Sequence, residues 1–374
     1  MMKINEKVLK NGEKAIFALR SLYRSYGYSQ YKMSKFEEYD LYAENKSFLV
    51  SDNIITFTGA GGKLMALKPD VTLSIVKSTK DSDMALNKVY YNENVYRAEK
   101  GTGDFKEIMQ AGLECIGDID DYCLCEVLML AAKSLSIISE DFVLDISHHG
   151  IVADALDRLN LSGTAKAQVL SAIADKNLHS AMAVCESEGV PAKKTELLKS
   201  LITCYGDPKK VLDKIEPQLS EGKAAAKELK RLIELLGKNI PQDKIRLDFS
   251  VAGDMSYYNG LAFSGFIQGI SQKVLSGGRY DNLLRKMGRK SNAVGFALYL
   301  DLLEELEDEA DEYDFDAVLL YDDKTDISEL KKAVDSIALS GKSVKAQKGI
   351  PEKIRYKTLM KIGEKGVEIL EENA

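Results

Sequence analysis

An ammonium group needs a carboxylate and neutral acceptors at hydrogen-bonding distance, and Asp70, Thr72 and Glu114 are of the types that supply them. An imidazole ring needs a carboxylate or amide at each nitrogen and flat aromatic walls. Gln110, Glu114, Tyr257 and Tyr258 are suitable for that. Gln110 and Glu114 are four positions apart, so they share one face if their segment is extended. Each of these residues also has a plainer reading. Tyr257 and Tyr258 could be core residues with satisfied hydroxyls, and Glu114 a buried structural carboxylate paired with Arg97. The Gly277, Gly278 pair could be a strand bulge or a tight turn.

Other chemistries find less support. No GxxxxGK[ST] phosphate loop occurs, and GAGG at 59 to 62 lies between strand-like runs, where a hairpin turn fits better. The histidines are His148, His149 and His179, in no HExxH or similar spacing, so neither a histidine metal site nor a Ser-His-Asp triad is indicated. The cysteines, Cys115, Cys123, Cys125, Cys185 and Cys204, are odd in number and form no CxxC pair. They read as reduced, mostly buried small hydrophobes.

The elements that must position these side chains follow from periodicity. Residues 12 to 26 carry Ile16, Leu19, Leu22 and Tyr23 at helical spacing and stop at Gly27. Short strand-like runs follow (FLVSD, IITFTG, GKLMALK, NKVYYNENVYR) with turn residues between them, as an antiparallel sheet requires. A helix is expected over 124 to 138, then a buried strand, DFVLDIS. From about 150 to 240 only helical patterns occur, and strand signals return with KIRLDFS, YYNGLAFSGFI and SQKVLSGG. A helical block inside a sheet is an insertion. The acidic run from Glu304 to Asp316 reads as a solvated linker ahead of a short βαβ-like tail.

The chain of 374 residues is long enough for one large and one small unit. Its net charge of -7 argues mildly against a nucleic-acid partner, because phosphate neutralisation usually demands a basic face. No apolar run reaches membrane-spanning length and the start lacks a signal-peptide core, so a cytoplasmic protein without a membrane partner is expected.

Several blocks, in order over about residues 10 to 306, resemble the catalytic domain of the histidyl-tRNA synthetases, a class II family: LMALKPDVT, VYRAEKGTGDFKEIMQAGLECIG, MSYYNGLAF, SGGRYDNLL and AVGFALYLDLL. The resemblance implies an α+β fold, a class II antiparallel sheet flanked by helices. It would span 1–310 with a helical insertion at about 150–240, and a short α/β domain over 311–374 would be truncated relative to an anticodon-binding domain. It also implies a histidine-binding set: Asp70 and Thr72 at the α-amino group, Gln110 and Glu114 reading the imidazole and the amino acid, Tyr257 and Tyr258 enclosing the side chain. Arg97 and Glu99 match strand residues of the second class II motif, and Arg97 joins the set. No cofactor or metal is implied.

The pattern breaks where adenylation needs cations, since positioning and electrostatics supply nearly all of nucleotidyl-transfer catalysis. The hairpin loop KGTGDFK lacks the family's arginines and keeps Lys100 and Lys106, Gly253 replaces an arginine, and the final Glu-Arg pair is Asp301 and Leu302. Ser34 stands where the first motif normally has a proline at the dimer interface. Each lost contact is worth about 2.7–4 kcal/mol by analogy with oxyanion-hole deletions. The resemblance therefore runs to the synthetase paralogues that serve as regulatory subunits of ATP phosphoribosyltransferase. It implies a non-catalytic chain in the first step of histidine biosynthesis. Its partner would be the short catalytic subunit, histidine its allosteric effector, and its assembly a dimer within a hetero-octamer. The alternatives are a divergent synthetase and a stand-alone histidine-binding paralogue.

Overall fold

The computed structural model describes residues 9–49, 54–79, 86–98, 104–253, 257–306, 313–350, 353–363 and 366–373. The described residues group into two compact units, one spanning Asn11–Leu306 and a smaller one of residues 9–10 with those after 306.

The larger unit opens with the helix Asn11–Ser25, which buries Ala15, Leu19 and Tyr23, a stripe at four-residue spacing. It ends at Gly27, whose φ of 81° is the left-handed conformation that stops helices. Strand β1 (Ser29–Gln30) follows. Then β2 (Phe36–Glu38), β3 (Thr56–Thr58) and β4 (Leu64–Leu67) make a separate antiparallel sheet in the order β2-β4-β3. The strand expected over FLVSD does not form where the chain is described. Lys46–Phe48 is a 3₁₀ turn that leads into position 49, and 50 to 52 lie outside the described residues.

The main sheet is built on the hairpin of β5 (Asn87–Ala98) and β6 (Phe105–Gly117), in unbroken register from Asn87 opposite Ile116 to Ala98 opposite Phe105. Its other strands are β7 (Phe142–His148), β8 (Ile245–Leu247), β9 (Leu261–Ile267), β10 (Leu275–Arg279) and β11 (Asn292–Tyr299). The order is β1-β5-β6-β11-β10-β9-β7-β8. The sheet is antiparallel except at its two outer pairs, where β1 runs parallel to β5 and β8 to β7. The second departure has a topological cause. The helices from His149–Leu159 to Lys223–Leu236 all lie between β7 and β8, and so form the long crossover that parallel strands require. Inside this insertion buried Asp154 accepts hydrogen bonds from Arg158 Nε (2.7 Å), the Ser220 amide (2.8 Å) and the Gly222 amide (2.9 Å), tying its first helix to the entrance of its last.

Two apolar clusters lie on opposite faces of β6, and the strand's alternation sorts its side chains between them. Ala111, Leu113 and Cys115 join the cluster under the helix Asp121–Ile138, with Leu124, Val127 and Leu128. Gln110, Gly112 and Glu114 therefore face the other side, where Val71, Leu73, Tyr91 and Tyr280 pack with partly buried Tyr257 and Tyr258. In the smaller unit β12 (Phe315–Leu320) pairs in parallel with β13 (Val344–Gln347) across the helix Ile327–Leu339. It also pairs in parallel with β14 (Tyr356–Gly363), which turns back into β15 (Gly366–Glu372).

Gly295 on β11 lies opposite Glu114, and a Cβ there would stand 1.8 Å from Glu114 Oε2 and 2.4 Å from the Leu113 carbonyl oxygen. Gly295→Ala is expected to destabilise the fold by about 1–3 kcal/mol through overpacking. The urea midpoint checks this, and an unchanged midpoint would mean that the Glu114 side chain moves aside freely.

Candidate amino-acid-binding site

Asp70, Thr72, Arg97, Gln110, Glu114, Tyr257 and Tyr258 all line one cavity of about 110 Å³ on the β6 face opposite the helix Asp121–Ile138. Three elements bring them there. Asp70 and Thr72 enter with the turn that starts the helix Thr72–Ser78, where the Asp70 carboxylate accepts from the Leu73 amide at 2.8 Å. Arg97, Gln110 and Glu114 come from the β5–β6 hairpin. The tyrosines precede β9. Glu99 and Lys100 lie outside the described residues.

Glu114 is buried, and both of its oxygens accept from hydroxyls. Thr72 Oγ1 donates to Oε1 at 2.7 Å and the Tyr280 hydroxyl donates to Oε2. The pairing of Glu114 with Arg97 that sequence alone allows is not made. Arg97 Nε instead donates to the Pro69 carbonyl at 2.9 Å, and its charge acts on Asp70. Burial pushes the Asp70 carboxyl above its ordinary value, against the lowering effect of the Leu73 amide and of Arg97. Gln110 is buried too, and its Nε2 has no partner among the described residues, an open donor at the cavity wall.

The aromatic wall is a chain of rings. Tyr257 and Tyr258 stack edge to face with centroids 4.9 Å apart, and Tyr257 also meets Phe48 at 6.1 Å and Tyr280 at 5.9 Å. The Gly277, Gly278 pair is neither bulge nor turn, since β10 runs in regular register between β9 and β11. A Cβ on Gly278 would come within 2.6 Å of Tyr258 Cδ1, so the glycine makes room for that ring.

Tyr280 lines the cavity and holds Glu114, a place that residue-by-residue reading missed although it lies in the block SGGRYDNLL. It is fixed by its amide donating to the Ala293 carbonyl at 2.9 Å. Next to it Asp281 accepts from the Ala293 amide at 3.0 Å and from Arg279 Nε at 2.8 Å. Tyr91, Lys273, Ser276 and Tyr299 also line the cavity without having been singled out. Alternation along β5 could have placed Tyr91 opposite Gly112, but nothing local marks Lys273. At the final Glu-Arg pair, Asp301 opens the 3₁₀ turn Asp301–Glu305, and Leu302, at the lost cation position, packs against the apolar core beneath the sheet. Among the described residues no group of three or more His, Cys, Asp or Glu side chains could hold a metal ion. No helix there is long and apolar enough to cross a membrane.

Burial, its largest influence, raises the Glu114 carboxyl from 4.5 to about 8. The hydrogen bonds from Tyr280 and Thr72 oppose this, and the Asp70 charge adds to it. The folded chain therefore holds this proton more tightly than the unfolded chain. The contribution of Glu114 to stability is full below pH 4.5 and is lost as the pH rises through about 8, and Asp70 contributes with the same sign. One such proton gives a slope of at most about 1.4 kcal/mol per pH unit. Urea unfolding followed across this range is expected to show the decline, and Glu114→Gln is expected to flatten its upper part. An identical slope in the variant would place the titration in another group.

The sequence model of the family described as histidyl-tRNA synthetase matches residues 3–303. An ATP phosphoribosyltransferase regulatory subunit from Oceanobacillus iheyensis is 26% identical over 290 residues, 76% of this chain and 71% of that protein. A histidine–tRNA ligase from Methanocaldococcus jannaschii is 28% identical over 342 residues, 90% of this chain and 78% of that protein. Among solved structures, one from the ATP phosphoribosyl transferase (HisG:HisZ) complex of Thermotoga maritima aligns with a TM-score of 0.62 and 20% identity. It covers 77% of this chain and 97% of that one, and shows that the fold is shared. With the family match running over well more than half its length, the chain belongs to the histidyl-tRNA synthetase family.

Proposed function

We propose that the chain is a non-aminoacylating regulatory subunit of ATP phosphoribosyltransferase that binds histidine in its cavity. The observation that carries this reading is a contrast. The residues that the resemblance assigns to histidine line one cavity, whereas Gly253 and Leu302 occupy positions where it calls for arginines. Glycine and leucine cannot replace a guanidinium fork on a triphosphate, and Leu302 is taken up in apolar packing. The name of the Oceanobacillus relative and the Thermotoga complex support a transferase catalytic subunit as the partner.

On this reading the partner is the short catalytic subunit, and the assembly is a dimer of this chain within a hetero-octamer in the cytoplasm. Histidine in the cavity favours one arrangement of subunits through its differential affinity for the two, and so lowers the partner's turnover. A second reading, a divergent histidine–tRNA ligase, is favoured by the Methanocaldococcus match, which extends over 90% of the chain.

Co-expression with a short catalytic subunit separates the two. Formation of phosphoribosyl-ATP is expected to require both chains and to fall when histidine is added, while this chain alone catalyses no histidine-dependent ATP–pyrophosphate exchange. Exchange above background would replace this reading with the ligase. Glu114→Ala and Tyr258→Ala are each expected to raise the histidine concentration for half-inhibition about tenfold or more, the loss of one buried polar or aromatic contact. Full sensitivity in both variants would show that the cavity is not the sensor.

A further inference from the structure

We infer that Lys273 is the cation that takes the carboxylate of the amino acid bound in the cavity. This rests on the amino-acid-binding reading given above and assigns a residue to the half of the ligand that reading leaves unmatched. A zwitterion needs a negative partner for its ammonium and a positive one for its carboxylate. Asp70 is available as the first. Two cationic side chains line the cavity, Arg97 and Lys273. Arg97 has its Nε committed to the Pro69 carbonyl at 2.9 Å. Lys273 is exposed and makes no hydrogen bond or ion pair among the described residues.

Its position suits the role. The Val274 amide donates to the Gly265 carbonyl at 2.9 Å, and the Val274 carbonyl accepts from the Tyr299 amide at 2.8 Å. The chain just before β10 is thereby pinned to the end of β11, where Tyr299 lies opposite Gln110. Lys273 thus opens onto the end of the cavity that holds the unpartnered Gln110 Nε2, four residues along β6 from Glu114. One charged donor and one neutral donor are then available for the two oxygens of a carboxylate, beside the ammonium that Asp70 takes. A lysine is adapted to this, since its flexible stem brings a compact charge to a ligand that enters from solvent.

The test compares L-histidine with L-histidinol, in which a hydroxymethyl group replaces the carboxylate, by calorimetric titration of the purified full chain. The wild-type chain is expected to bind histidine about tenfold or more tightly than histidinol. Lys273→Met is expected to lose about tenfold for histidine and nothing for histidinol, and Lys273→Arg to retain most of the preference. Histidine affinity unchanged in Lys273→Met, or an equal loss for both ligands, would overturn the assignment and leave the amino-acid pocket standing. A wild-type chain that does not bind histidine would instead remove the pocket reading itself, and this assignment with it.

Discussion

A carboxyl group closed in between two hydroxyls is the constraint around which the larger unit is arranged. Glu114 sits on β6, an interior strand of the main sheet, and an ionised carboxylate in that position would carry a large desolvation cost. Three strands or segments meet to offset it. The turn before the helix Thr72–Ser78 supplies one donor, the end of β10 leads to the other, and β11 yields space by carrying glycine. Burial raises the affinity of Glu114 for a proton. A ligand that brings positive charge against it would stabilise the ionised form, so that ligand binding and proton release are linked.

Most of the scaffold was legible because it is local. Helical spacing marked the helix Asn11–Ser25, the helix Asp121–Ile138 and the inserted helices. Strand formers marked the β5 run, and the β5–β6 hairpin came with the family resemblance. The errors fall where local signals compete. FLVSD carries strand-compatible residues, yet its first residue, Phe48, closes the 3₁₀ turn Lys46–Phe48. The parallel edges were invisible, since no short window records which strand lies at the end of a long crossover.

The site divides in the same way. Gln110 and Glu114 could be paired from their spacing alone, because strand geometry fixes what four residues apart means. The true partners of Glu114 could not. Tyr280 reaches it from 166 positions away, and the sequence offered Arg97, a charge opposite in sign and close by, as the more obvious choice. Leu302 carries a complementary lesson. An arginine there would have to leave the apolar packing that leucine joins, so the loss of the cation and the gain in core contact are one event in the structure.

The helical insertion that separates β7 from β8 also bears on how the chain reaches this state. β8 has three residues, Ile245–Leu247, and its ladder to β7 is too small to hold shut a loop running from His149 to Lys244. The inserted helices contact neighbours in sequence, and local contacts of this kind close at a smaller entropic cost than that ladder. The cavity, by contrast, is made by β5, β6, β10 and β11 with the turn at Asp70. Growth or shrinkage of the insertion can therefore alter assembly speed and outer surface while leaving the ligand-facing residues in place.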